Sequence, residues 1–219
     1  MYKIIALVLA GGNGSRFNAT QDPPKQYLPL KYDSVINCTV KKFLHHEKID
    51  LVQVVIGKNH HNFYQPHQHK KLLPHVLGGQ RRQDSVCIGL EALKKFSPQL
   101  VLIHDAARPF FSEKLIDEMV LTLQNNRAVV PAIKVVDAIV ESDDNQCIQQ
   151  HITNKNIYKV QTPQGFHYSD ILNLHQIEKE SKTTFADDSA LFTKHNMPVA
   201  MIEGQSNNIK ITYKEDLHD

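Results

Sequence analysis

Chemistry in this sequence concentrates in a few glycine-bearing and charged segments. The first is Leu9-Ala10-Gly11-Gly12-Asn13-Gly14-Ser15-Arg16, with Lys25 following in Pro23-Pro24-Lys25-Gln26-Tyr27-Leu28. Glycines directly after an apolar run let backbone N–H groups curl around an anion without Cβ interference, and Arg16 and Lys25 can then neutralise a triphosphate. The pattern lacks the third glycine of the dinucleotide fingerprint, since Phe17 stands there. It also lacks the Gly-Lys-Ser/Thr of a P-loop. It reads as a local phosphate cradle.

Two more segments fit the same purpose. Ile103-His104-Asp105-Ala106-Ala107-Arg108-Pro109-Phe110 ends an apolar run, where ligands of open α/β sheets sit. Asp105 is expected there as the carboxylate for a Mg²⁺ held by phosphates. His104, on the opposite side of the strand, is expected to face the core. Gly78-Gly79-Gln80-Arg81-Arg82-Gln83-Asp84-Ser85 leads into a helix, so that the Gly79 backbone could approach a flat base and Ser85 could bond a base edge or ribose. Near the end, Lys210 in Asn208-Ile209-Lys210-Ile211-Thr212 could reach the phosphates.

The elements that must position these residues follow from hydrophobic pattern. Ile4–Leu9, Leu51–Ile56, Leu100–His104, Arg127–Val130, Pro198–Ile202 and Ile209–Thr212 are expected strands, and their unbroken apolar character implies a parallel sheet buried on both faces. Expected helices are Ser34–Leu44, Gln83–Lys95, Ser112–Gln124 and Ser169–Lys179, the third with Ser112 as N-cap. Alternating strands and helices give an α/β layer. The segment Lys134–Tyr158 departs from it: Val135–Val140 and Cys147–Ile152 flank a polar turn, Glu141 to Asn145, and read as a hairpin arm whose apolar side chains a second subunit would cover.

Composition narrows the class. The 219 residues are 41% hydrophobic and 22% charged, enough for one domain, 1–219, with the arm at about 134–158. Twenty-five Lys and Arg against 23 Asp and Glu leave a net charge of +2, scattered without a basic stripe, so neither nucleic acid nor a membrane surface is an expected partner. Cys38, Cys87 and Cys147 are odd in number and widely spaced, which fits reduced thiols and a cytoplasmic location. Cys38 is expected to act as a buried small hydrophobe. The apolar N-terminal run is too short to cross a bilayer. His60, His61, His67, His69 and His75 lack an accompanying cysteine or carboxylate pair at ligand spacing, so a solvated loop and helix is expected there rather than a zinc site.

Taken together, Leu9-Ala10-Gly11-Gly12-x-Gly14-x-Arg16, Pro24-Lys25-Gln26-Tyr27, Gly78-Gly79-x-x-Arg82-x-x-Ser85-Val86, His104-Asp105-Ala106-Ala107-Arg108-Pro109, Gln161-Thr162-Pro163-Gln164 and Asn208-Ile209-Lys210 resemble the 2-C-methyl-D-erythritol 4-phosphate cytidylyltransferase family of the non-mevalonate isoprenoid pathway. The resemblance implies a Rossmann-like nucleotidyltransferase with a mostly parallel sheet, a homodimer clasped by protruding β-hairpin arms, and a CTP-dependent enzyme using Mg²⁺ and a polyol phosphate acceptor. It implies that Arg16, Lys25 and Lys210 serve catalysis, and that Ala10, Gly11, Gly12, Gly14, Gly79, Ser85, Ala106 and Arg108 bind the nucleotide. Asp105, Ala138, Asn154, Thr162 and Ala186 fall at acceptor positions, and Asp105 also at the metal.

Three of those acceptor positions depart from the family pattern. Ala138 stands where a Thr is usual after Asp137, Asn154 where an Arg is usual, and Ala186 where a Thr precedes Asp187-Asp188. Losing a bidentate phosphate-gripping Arg weakens an acceptor site more than losing a neutral hydrogen bond, although Lys155 can substitute as a point charge. Two other readings stay open: a ribitol-5-phosphate-type cytidylyltransferase, and a catalytically impaired dimeric binding or scaffold protein. Lys214-Glu215-Asp216-Leu217 reads as the start of a helix that stops at Asp219. The expectation is a chain cut from a longer protein, in the family sometimes a bifunctional one, or a frayed tail.

Overall fold

The computed structural model describes residues 3–12, 17, 23–153, 155–181 and 183–217. Gly14, Arg16 and Asn154 therefore lie outside the described residues. The body is a mixed sheet with helices on both faces. In chain order its elements are β1 (Ile4–Ala10), β2 (Pro29–Leu30), β3 (Asp33–Ser34), α1 (Val35–His45), β4 (Leu51–Ile56), β5 (Val76–Leu77), α2 (Arg82–Leu93), β6 (Leu100–Asp105), α3 (Glu113–Thr122), β7 (Ala128–Lys134), β8 (Ile139–Ser142), β9 (Ile148–Ile152), β10 (Tyr158–Val160), β11 (Gln164–His167), α4 (Tyr168–Ile177), α5 (Ser189–Lys194) and β12 (Ala200–Glu203).

The sheet runs β10-β7-β11-β6-β1-β4-β5, with β12 also paired to β7 off this path. β1 pairs in parallel with β4 and β6, β4 with β5, and β7 with β12. The sheet is thus mostly parallel, as expected, with two antiparallel strands that sequence reading missed. β11 is wedged between β6 and β7, and β10 runs beside the far end of β7. Gln164-Gly165-Phe166-His167 carries one large apolar residue in four, so no hydrophobic run marked it as a strand. Gly165 is needed there, because a Cβ would lie 2.9 to 3.1 Å from side-chain carbons of Leu123, Val129 and Leu102.

β1 shows why its sequence is continuously apolar: all seven residues are buried. Ile4, Ala6, Val8 and Ala10 pack on the face covered by Ile36, Val40 and Phe43 of α1 and Leu115, Ile116 and Met119 of α3. Ile5, Leu7 and Leu9 pack on the opposite face against Val86, Leu90 and Leu93 of α2, Ile171 and Leu174 of α4, and Leu191 and Phe192 of α5. Period-two alternation delivers a side chain to each layer in turn. Ser34 and Ser112 cap α1 and α3 by accepting hydrogen bonds from the Asn37 and Leu115 amides.

Two sequence expectations change. Ile209–Thr212 is not a strand: among the described residues its one backbone-to-backbone tie to the body is Ile211 N–H donating to the Ala107 carbonyl, and its apolar signature reflects the complete burial of Ile211. The histidine-rich stretch contains turns and no α-helix, and His60 in it is buried against Tyr27 rather than solvated. The arm is present as a separate two-stranded antiparallel sheet of β8 and β9, reached from β7 and returning to β10 through the Lys134–Tyr158 pair. Asp143 closes its turn by accepting from the Asn145 and Cys147 amides, with Gln146 at φ 62°. All three cysteines are free, and Cys38, half-buried, packs beside Leu30, Val35 and Ile211. Among the described residues no helix is long and apolar enough to cross a membrane.

Candidate active site

Three strand ends meet at one edge of the sheet. The register Leu9↔Asp105 between β1 and β6 brings the loop after β1 beside Asp105, and Ile56↔Leu77 brings β5 and the following Gly78-Gly79 alongside. Between them lies a cleft of about 280 Å³. Ala10, Gly11 and Gly12 form one wall, Gly79 to Arg82 and Ser85 the second, and Asp105 to Ala107 the floor; Lys25 and Lys210 reach in from separate loops. This is the carboxyl-end crevice that parallel α/β sheets use for ligands.

Charge inside the cleft is lopsided. Asp105 is its single lining carboxylate among the described residues, against Lys25, Arg81, Arg82 and Lys210. Lys210 Nζ lies 2.7 Å from Asp105 Oδ2, Arg82 Nε 3.6 Å from Oδ1, and Arg108 Nε 4.0 Å from Oδ2. Burial by itself raises the Asp105 carboxyl pKa, but Arg82, Lys210 and Arg108 reverse that and hold it well below the usual carboxylate range. Arg82 in turn reaches back to Asp188, 2.7 Å from its Nη2 and 1% exposed, whose other oxygen takes His175 Nε2 at 3.2 Å. Burial opposes the charge on Arg82, yet Asp188 and Asp105 push its pKa up. A surplus of fixed cations with one compensated carboxylate suits a polyanion.

Several expected roles are redistributed. Ser85 Oγ accepts from the Gly79 amide at 3.1 Å and faces the Arg81 carbonyl at 3.2 Å, so its hydroxyl braces the glycine pair that frames the cleft. A Cβ on Gly78 would stand 2.6 Å from that hydroxyl, which is why glycine is required there. Arg81 is tied to Asp84 and to the Ser181 carbonyl, leaving Arg82 to face Asp105. Arg108 is not a lining residue: its Nη1 donates to the Asn208 carbonyl at 2.9 Å and braces the segment carrying Lys210. Thr162 sits behind the floor, buried, accepting from the Asp105 amide. Ala138 at the base of the arm and Ala186 before α5 are exposed and line no part of the cleft.

His104 is structural, as expected. It is fully buried; its Nε2 donates to the Arg108 carbonyl at 3.0 Å, so Nδ1, at 3.0 Å, accepts the Thr162 hydroxyl proton. Desolvation pushes its pKa down to about 3. The imidazole, Thr162 and the Asp105 amide form one chain that fixes the end of β6.

A resident Mg²⁺ site does not fit these residues. Among those described, no three His, Cys, Asp or Glu side chains converge, and Asp105 already has three cations within 4.0 Å. A protein-held Mg²⁺ needs open carboxylate oxygens. Asp105 is accordingly not poised as a metal ligand in the ligand-free protein.

Comparison with known proteins settles the lineage. The sequence model of "IspD: 2-C-methyl-D-erythritol 4-phosphate cytidylyltransferase" matches residues 4–219. The chain belongs to this cytidylyltransferase family. Among similar proteins is the bifunctional enzyme IspD/IspF of Wolbachia pipientis, 43% identical over 99% of the chain and 54% of that protein. Another is the bifunctional enzyme IspD/IspF of Granulibacter bethesdensis, 38% identical over 98% of the chain and 54% of that protein. The chain spans about half the length of these curated relatives. The 4-diphosphocytidyl-2C-methyl-D-erythritol synthase of Anaerococcus prevotii superposes with a TM-score of 0.82 at 28% identity, covering 99% of this chain and 93% of that one. The 2-C-methyl-D-erythritol 4-phosphate cytidylyltransferase of Thermus thermophilus superposes with a TM-score of 0.81 at 27% identity, covering 98% and 95%.

Within that family fold, the cleft contains most of the residues the motifs singled out: Ala10, Gly11, Gly12, Lys25, Gly79, Ser85, Asp105, Ala106 and Lys210. No local pattern marks a role for Gln26, which lines the cleft, or for Asp188 and His175 behind Arg82. Adjacent acids in Asp187-Asp188 were the only available signal. The burial of Asp188 and His175 depends on α4 and α5 closing over Arg82, which no local pattern states.

Proposed function

We propose that this chain transfers a cytidylyl group from CTP to 2-C-methyl-D-erythritol 4-phosphate in non-mevalonate isoprenoid biosynthesis. The observation that carries this reading is the cation-lined cleft, built from the family's own segments at the carboxyl ends of β1, β5 and β6. An acceptor phosphate oxygen attacks the α-phosphorus of CTP in line. The α-phosphorus to bridging-oxygen bond breaks and its electron pair leaves on pyrophosphate. No covalent nucleophile is needed, so the residues position the reactants and neutralise charge. Lys25 and Lys210, with Arg16, serve the triphosphate; Gly11, Gly12 and Gly14 cradle it; Ala10, Gly79, Ala106 and Ser85 shape the nucleotide wall, and Arg108 acts by holding the Lys210 segment.

Mg²⁺ would enter with CTP as part of the substrate, where it would supply further neutralisation of the triphosphate charge. On the acceptor side, Asp105 and Thr162 fix the floor, and Ala138, Asn154 and Ala186 complete the pocket when a second copy brings its arm across. The exposed apolar side chains of the arm, Val136 at 82% and Ile148 at 59%, support that homodimer. Three free cysteines support a cytoplasmic setting.

Pyrophosphate release from CTP, measured with a panel containing 2-C-methyl-D-erythritol 4-phosphate and ribitol 5-phosphate, tests the reading. Release with the first acceptor is expected, and Lys25→Ala should lower the rate roughly a hundredfold. Release with ribitol 5-phosphate alone would reassign the acceptor, and none with either would make the chain a binding module.

A further inference from the structure

We infer that Gln26 is a positioning residue that sets the geometry of the entry to the phosphate-binding loop, Ala10 to Gly12, acting through two backbone carbonyls; this rests on the CTP reading of the cleft. Gln26 Nε2 lies 2.8 Å from the Ala10 carbonyl oxygen and 2.8 Å from that of Gly12. One side-chain amide thus spends both its hydrogens on two carbonyls separated by a single residue. A peptide unit is planar and trans, so holding the Ala10 oxygen toward Gln26 turns the Gly11 N–H to the opposite side. Gly12, where a Cβ would meet nothing within 4 Å, offers the open approach a phosphate needs. A loop whose carbonyls are tied back presents amides to an anion without first reorganising.

The clamp is itself rigid. Gln26 is buried in the short helical turn Lys25–Tyr27, which begins after Pro24, so the same turn carries the phosphate-facing Lys25 and the amide that shapes the opposing loop. Its neighbour adds a second donor: Tyr27 Oη donates to the Ala10 carbonyl at 3.2 Å, and because that uses its only hydrogen, it accepts from His60 Nδ1 at 3.3 Å. His60 is buried on Gly57, where a Cβ would stand 2.5 Å from Nδ1. The Ala10 carbonyl therefore receives two donors from one turn, backed by a ring that only a glycine at 57 admits.

The role requires donors, not bulk. Gln26→Met keeps length and apolar volume and loses both hydrogens. With steady-state kinetics in both substrates, Gln26→Met should raise KM for CTP about tenfold or more, with KM for the acceptor within about twofold of wild type. Affinity for inorganic tripolyphosphate, measured by calorimetry, should fall in parallel. An unchanged KM for CTP, or equal losses for both substrates, would overturn the assignment. Should Gln26→Met not fold, Tyr27→Phe carries the test by removing only the second donor: a rise of about two- to threefold confined to CTP supports the clamp, and its absence refutes it. Wild-type protein that releases no pyrophosphate, yet loses tripolyphosphate affinity in Gln26→Met, would sink the cytidylyl transfer reading and leave the loop clamp standing.

Discussion

Acidification to pH 5 should cost this protein about 2 kcal/mol of stability through one side chain, His104. The ring is fully buried and neutral, Nε2 donating to the Arg108 carbonyl and Nδ1 accepting from Thr162. Burial pushes its pKa from 6.5 down to about 3. Between those values the unfolded chain binds a proton that the folded chain refuses, so stability falls as pH drops from about 6.5 and stops falling only near the folded value. At pH 5 the cost is set by the unfolded value alone, because the folded ring is still neutral. Roughly 1.5 pH units at about 1.4 kcal/mol each give about 2 kcal/mol. Asp105 and Asp188, whose pKa values are lowered from 3.8, withdraw their stabilisation only below about pH 4, outside this window. Urea unfolding at pH 7, 6 and 5 on wild type and His104→Gln isolates the effect, since other titrating groups cancel in the comparison. The variant, whatever its absolute stability, should lose about 2 kcal/mol less than wild type between pH 7 and 5. Parallel losses would refute the argument that a buried, neutral His104 anchors the end of β6.

Asp188→Asn should destabilise the fold by about 2 kcal/mol in urea, less than for a fully desolvated pair, because Arg82 keeps about a third of its side-chain exposure and recovers some hydration; a change under about 0.5 kcal/mol would show that the pair stabilises nothing. Light scattering at micromolar concentration should give a dimer, and Ile148→Asp in β9 should shift it toward monomer; a monomeric wild-type chain would rule out an arm-clasped pair.

What could be read from sequence and what could not divide along a physical line. Strands buried on both faces announce themselves, because every residue of β1, all but Gln53 of β4 and the first four of β6 are apolar to serve two helical layers. Ser112 before α3 was legible for a similarly local reason, since a cap bonds an amide three residues on. Glycines and lysines after such strands pointed to a phosphate site because the carboxyl end of a parallel strand is where a ligand fits.

Side-chain partners depend on distant chain segments, and there sequence reading ran out. Asp105 looked like an open metal ligand because nothing local shows that Lys210, 105 residues away, and Arg82 would close on it. Ser85 lines the cleft, but only the fold shows that its hydroxyl also braces Gly79, and that the Arg108 guanidinium turns to the Asn208 carbonyl instead of the cleft. β11 escaped because its burial comes from neighbours on both sides, β6 and β7, rather than from its own hydrophobicity. Ile209–Thr212 misled in the opposite direction, its apolar residues serving packing without a strand to pair with. Pattern reports which residues leave water; only the closed fold decides which polar group each remaining donor and charge will meet.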